Sequence, residues 1–156
     1  MTTHRILVVA TALLVLLAVA LWLAPHKAPR ALLADPVLTP GVLNGAVTQA
    51  TIGSTICRRG WTATIRPPSE YTSALKRKQL RQYHETGPPS GYQEDHLISL
   101  ELGGDPLDPG NLWPEPYPRA SDVDRIENEL NAQVCSGALS LRDAQLKESV
   151  LKHDYG

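Results

Sequence analysis

The sequence predicts a loop-rich α+β domain, and three observations carry that reading. The chain of 156 residues holds 13 Pro and 11 Gly but no Phe, so its elements must be short and separated by many turns. Runs that can extend as strands flank one turn-rich stretch, Gly91 to Pro116, and apolar residues at three- and four-residue steps lie on either side of it. A hydrophobic content of 42% supports a single core, built from Leu, Ile, Val, three Trp and five Tyr, in a chain too short for two ordinary domains.

Met1 to Arg5 is a short polar start, and Ile6 to Leu23 is apolar apart from Thr11. Residues 1–24 therefore read as an export signal. It is either a signal peptide cleaved near Ala18-Val19-Ala20 or an uncleaved membrane anchor, since about 18 apolar residues just suffice to cross a bilayer. A buried core helix fits less well, because the run has no polar face. The expected location is secreted or membrane-anchored, with the domain outside the cytoplasm. Pro25, Pro29, Pro36 and Pro40 mark residues 25–40 as an extended linker, which leaves 41–156 as the domain.

Gly41 to Ile56 can be a short helix or an irregular arm, with Val47, Ile52 and Ile56 available to the core. It leads to Cys57, whose only possible partner in the chain is Cys135. Neither lies in a zinc-type spacing, and export favours a disulfide over two buried thiols. Closing a loop of nearly eighty residues is worth roughly 4 to 5 kcal/mol in the chain-entropy limit. Trp61 to Ile65 alternates apolar and polar and predicts a short strand ended by Pro67-Pro68. Ser69 or Thr72 then caps a helix to about His84, with Tyr71, Ala74, Leu75 and Tyr83 inward.

That helix carries Lys76, Arg77, Lys78 and Arg81, either a solvated face or a phosphate-contacting one. Charge is unevenly spread along the chain. Between Arg58 and Arg81 seven basic residues face Glu70 alone, a sum of +6, while from Gln82 onward five basic and fourteen acidic residues sum to -9. With a net charge of -1, the chain lacks the balance of a dedicated nucleic-acid binder, so any such affinity must be local.

Tyr92 to Leu100 can run as a strand bearing Asp95 and His96; Gly103-Gly104, Asp105-Pro106 and Asp108-Pro109-Gly110 supply turns before a second strand at Asn111 to Trp113. Downstream, Ser121-Asp122-Val123-Asp124 has the form of a capping box, followed by Val123, Ile126, Leu130 and Val134 in helical spacing to Cys135, with Gly137 as the stop. A second box at Ser140 to Asp143 opens a last helix towards His153 that covers the core and shows no chemistry of its own. His84 reads as a helix-end histidine. Trp61, Trp113, Tyr92 and Tyr117 read as packing.

The order Asp95-His96, Gly103-Gly104, Asn111-Leu112 and then a helix resembles the HNH nuclease family over roughly Gln93 to Cys135. The resemblance implies a small ββα-metal hairpin-plus-helix core with flanking helices. It also implies roles: Asp95 binds a divalent cation, His96 is the general base that activates water, and Asn111 orients His96 by a hydrogen bond. Where the family carries a further His on the following helix this chain has none, and oxygen donors there are the substitutes: Asp124 first, then Glu127, then Glu115. Carboxylates of this kind suit Mg²⁺ or Mn²⁺, although each taken singly also serves as charge at a helix N-terminus. Neighbouring strand residues point to opposite faces, so Asp95 and His96 share a site only if the strand twists, bulges or ends there. The implied function is an exported, metal-dependent endonuclease hydrolysing phosphodiester bonds in DNA or RNA, with Lys76, Arg77, Lys78 and Arg81 on the nucleic acid. The alternatives are a catalytically silent binding module of the same fold and a structural envelope protein.

Overall fold

The two strand-forming runs pair as an antiparallel hairpin, β1 (Tyr92–His96) with β2 (Leu112–Pro116), in register from Tyr92↔Pro116 to His96↔Leu112. The computed structural model describes residues 33–117 and 119–155. The segment 1–24 and residues 25–32 of the expected linker lie outside them. Among the described residues no helix is long and apolar enough to cross a membrane.

β1 stops at His96, earlier than its apolar continuation to Leu100 suggests, because Leu100–Leu102 closes into a 3₁₀ turn. The glycines of the tip make that turn possible. Gly103 takes φ +79°, and a Cβ on Gly104 would stand 1.8 Å from the Ile98 carbonyl oxygen and 2.4 Å from Asn111 Nδ2. Pro114 and Pro116 fit β2 because a two-stranded sheet leaves one side of each strand without a ladder to serve.

Four helices surround the hairpin among the described residues: α1 (Trp61–Ile65), α2 (Ser69–Gln82), α3 (Arg119–Cys135) and α4 (Leu141–Asp154). The first corrects the expected strand at Trp61 to Ile65. A period-two pattern is satisfied only beside a partner strand, and none lies there. Coiled instead, the segment sets Trp61 and Ile65 one turn apart, both half-buried, with Ala63 and Thr64 exposed. α2 follows Pro68 as expected and ends before His84, whose φ of 57° takes the backbone out of the helix. Its inward face is Leu75, Gln79 and Leu80, while Ala74, expected inward, is exposed. α3 begins at Arg119, ahead of the Ser121 box, so Ser121 lies within the helix rather than capping it. The second box forms as expected: Ser140 Oγ accepts from Asp143 N–H at 3.1 Å and lies 2.7 Å from Asp143 Oδ2.

The main core gathers Val47, Ile56, Ile98, Leu102, Leu130, Val134, Leu141 and Ala144, so the arm, the hairpin tip, α3 and α4 share it. A smaller cluster joins Ala34, Leu97 and Trp113, with Tyr83 packed against it. Residues 33–40 therefore belong to the fold rather than to a free linker. Ala34 N–H donates to the Lys152 carbonyl, and the buried Thr39 has its Oγ1 2.6 Å from Tyr83 Oη.

Cys57 and Cys135 lie at disulfide geometry, their Cα atoms 5.5 Å apart, joining the segment before α1 to the end of α3. Reduction is expected to lower stability by about 2–4 kcal/mol, below the entropic limit because a denatured chain that retains residual structure has less loop entropy for the cross-link to remove. Urea unfolding with and without reductant, beside a Cys57→Ser/Cys135→Ser variant, measures it. Equal midpoints for oxidised and reduced protein would remove the disulfide from the stabilising interactions.

Candidate active site

Because β1 ends at His96, the chain turns where the two functional side chains would otherwise diverge. Asp95 and His96 consequently line one cavity of about 320 Å³ together with Gln93, Glu101, Asp124, Glu127 and Arg66. Four side chains selected by sequence thus share a wall: Asp95 and His96 from the hairpin, Asp124 and Glu127 from α3. Asp124 and Glu127 lie three residues apart, on one face of their helix.

His96 is buried, and its Nε2 lies 3.2 Å from the Pro106 carbonyl oxygen. A carbonyl only accepts, so Nε2 carries the proton and Nδ1 of the neutral ring keeps its lone pair. Burial lowers the pKa of His96, with the charges of Lys152 and Arg66 adding to it, while the Pro106 bond and Asp95 act in the opposite direction. The neutral, basic form is favoured.

Asn111 reaches this ring differently from the expectation of a direct bond. Its Oδ1 accepts from Ile98 N–H at 2.9 Å, and its Nδ2 donates to the carbonyls of Ile98 at 3.0 Å and Asp105 at 2.9 Å. The fully buried amide is committed to backbone. It pins the hairpin tip so that the next carbonyl, that of Pro106, receives His96. Asn111 is thus linked to His96 only through the backbone that it holds.

Asp95 has a partner from the far end of the chain, one to which its sequence gave no role. Lys152 Nζ, fully buried, stands 2.9 Å from Asp95 Oδ2, 2.6 Å from Glu127 Oε1, 3.5 Å from Glu148 Oε1 and 2.5 Å from the His96 carbonyl oxygen. Burial opposes its charge, but the carboxylates of Asp95, Glu127, Glu148 and Glu115 outweigh that and raise the Lys152 pKa well above its ordinary range. Burial likewise works against ionised Asp95, and Lys152 reverses the balance to hold its pKa low. Glu148, raised well above its ordinary range chiefly by burial, accepts from Ser99 N–H at 3.0 Å on both oxygens. A last helix expected only to cover the core thus supplies the central cation. The signal was present in its inward stripe, which reads Leu141, Ala144, Glu148, Lys152 and ends in charges where apolar residues belong.

The donor set fits a hard divalent cation in kind. Gln93 Nε2 donates to Asp95 Oδ1 at a long 3.4 Å, and Asp124 lines the same cavity. Burial, and then the charge of Asp95, raise the Asp124 pKa, while the charges of Lys152 and Arg66 act in the opposite direction. Glu127 is raised chiefly by burial while it bonds Lys152. Among the described residues no three acidic, His or Cys side chains close on one point. Mg²⁺, however, commonly takes only one or two carboxylates and completes its shell with water.

Glu115, the third substitute, does not line the cavity: it is fully buried behind Asp95, within its reach, and paired with Arg119 at 3.0 Å. Burial and the charge of Asp95 push its pKa up to about 8. The basic residues of α2 do not line the cavity. Lys76 donates to the Tyr92 carbonyl at 2.8 Å, Arg81 donates to the Arg77 carbonyl at 2.7 Å, and Arg77 and Lys78 face solvent. The exposed Arg66, just after α1, is the cationic side chain at the cavity rim. His84 is exposed at the end of α2, and Trp113 is fully buried 6.4 Å from the Tyr83 ring, both as expected from the sequence.

Glu94, the residue before Asp95 on β1, has neither carboxyl oxygen hydrogen-bonded among the described residues. Burial pushes its pKa up to about 8, against the opposing charge of Lys76. An acid whose folded pKa is raised stabilises most below its unfolded pKa and loses that contribution as pH climbs through the folded value. Glu94→Gln is therefore expected to leave stability at pH 4 nearly unchanged and to raise it at pH 8. Urea midpoints at both pH values test this, and a variant no more stable than the parent at pH 8 refutes it.

Compared with known proteins, the chain matches no family model, no curated protein and no solved structure.

Proposed function

We propose that this protein is an exported, metal-dependent, HNH-like endonuclease that hydrolyses phosphodiester bonds in DNA or RNA. The observation that carries this reading is the meeting of Asp95, His96, Asp124 and Glu127 in one cavity with Arg66 at its rim. His96 Nδ1 takes a proton from the attacking water as its oxygen bonds to phosphorus; the ester P–O bond breaks, and the leaving oxygen is protonated from solvent. Asp95 and Asp124 would hold Mg²⁺ or Mn²⁺, which when bound supplies positive charge to the phosphate and the departing oxygen. Asn111 keeps His96 aimed through the Pro106 carbonyl. Arg66 contacts a non-bridging phosphate oxygen. The disulfide suits a compartment outside the cytoplasm.

A second reading, a catalytically silent binding module, has its own support in the bonds that commit Asp95 and Glu127 to Lys152. Incubating the purified protein with single- and double-stranded DNA and with RNA, in Mg²⁺, Mn²⁺ or chelator, separates the two. Cleavage that requires the metal supports the enzyme. Binding without cleavage under every condition moves the assignment to the silent module.

A further inference from the structure

We propose that the polyanion reaches this site along Arg58, Arg59 and Arg66, mounted on the two ends of α1, rather than along the basic helix α2. This rests on the nuclease reading for its partner, the sugar-phosphate backbone of a nucleic acid. A second cavity, of about 290 Å³, is lined by Arg58, Arg59, Thr62 and Asn131, and Glu101 lines both this cavity and the catalytic one. The two hollows are therefore neighbours that share a wall.

The three arginines are exposed, and among the described residues none makes a salt bridge or a side-chain hydrogen bond. Their mount is stiff. Cys57 is joined to α3 immediately before Arg58, the Arg58 carbonyl accepts from Trp61 N–H at 3.1 Å, and Trp61 packs on the core. The five residues of α1 span about 7.5 Å of helix axis, a length on the scale of two strand steps at about 3.4 Å each. α2 offers less, since Lys76 and Arg81 already donate to backbone carbonyls and no α2 side chain lines either cavity. The catalytic wall itself carries Asp95, Glu101, Asp124 and Glu127, so an incoming phosphate chain needs cations beside it.

The test is equilibrium binding of a fluorescein-labelled single-stranded oligonucleotide to the full chain, in chelator so that nothing is cut, across a salt series. An Arg58→Glu/Arg59→Glu/Arg66→Glu variant is expected to bind at least tenfold more weakly, with a salt slope shallower by about 0.7 for each phosphate that no longer meets an arginine. An Arg77→Glu/Lys78→Glu variant, with the same kind of charge reversal on α2, is expected to stay within about threefold of the parent. Equal weakening in both variants, a larger effect in the α2 variant, or no binding by the parent would overturn the proposal. The nuclease reading fails separately: a parent that binds by these arginines but never cuts in Mg²⁺ or Mn²⁺ keeps the track and loses the enzyme.

Discussion

His96→Ala is expected to reduce cleavage by about a hundred- to ten-thousand-fold while leaving affinity for Mn²⁺ nearly unchanged. In the proposed mechanism the residue supplies the lone pair at Nδ1, so its replacement would remove the base without touching the carboxylates of the same wall. Folding should change little, since the ring's hydrogen bond is to Pro106, in a tip held independently by Asn111. Asp95→Ala should lose cleavage and Mn²⁺ affinity together, and should also cost stability because Lys152 is deprived of a partner. Single-turnover cleavage and calorimetric Mn²⁺ titration read these outcomes. A His96→Ala protein that cuts at the parental rate would place any activity elsewhere in the chain.

Lys152→Met is expected to destabilise the fold by about 3–5 kcal/mol at neutral pH, the usual consequence of removing one partner from a buried ionic cluster. Methionine fills much of the stem's volume, so the effect reports the charge rather than a cavity. Asp95, Glu127 and Glu148 would then face one another without a cation. The sign of the pH dependence follows. In the variant these carboxyls are held above their unfolded pKa values, so stability should recover as pH falls towards 4.5 and their protons return. Urea unfolding of parent and variant at pH 7 and pH 5 measures both effects. A destabilisation below about 1 kcal/mol, or one that does not shrink on acidification, would mean that solvent reaches the cluster and screens it.

Local chemistry made a good part of this protein legible in its sequence. The hairpin was visible in turn residues between extended runs, α2 in Pro67-Pro68 and apolar spacing, α4 in the Ser140 box, and the Cys57–Cys135 pair in the absence of any other cysteine. The choice of Asp95, His96, Asp124 and Glu127 as one set came from the resemblance to the HNH family, with the two helix carboxylates standing in for its further His. Only the tertiary structure decided what those groups touch. Trp61 to Ile65 alternates like a strand, but a strand needs a neighbour to hydrogen-bond, and without one among the described residues the helix that half-buries Trp61 and Ile65 together prevails. Asn111 gave away its type and not its partners, which are backbone groups up to 13 positions away. Lys152 lies 57 positions from Asp95; its place on the inward stripe of α4 marks it as buried, but not which carboxylates it meets. Periodicity specifies which face a residue presents, whereas the energy of a buried charge depends on every charge that the fold brings within a few ångströms of it.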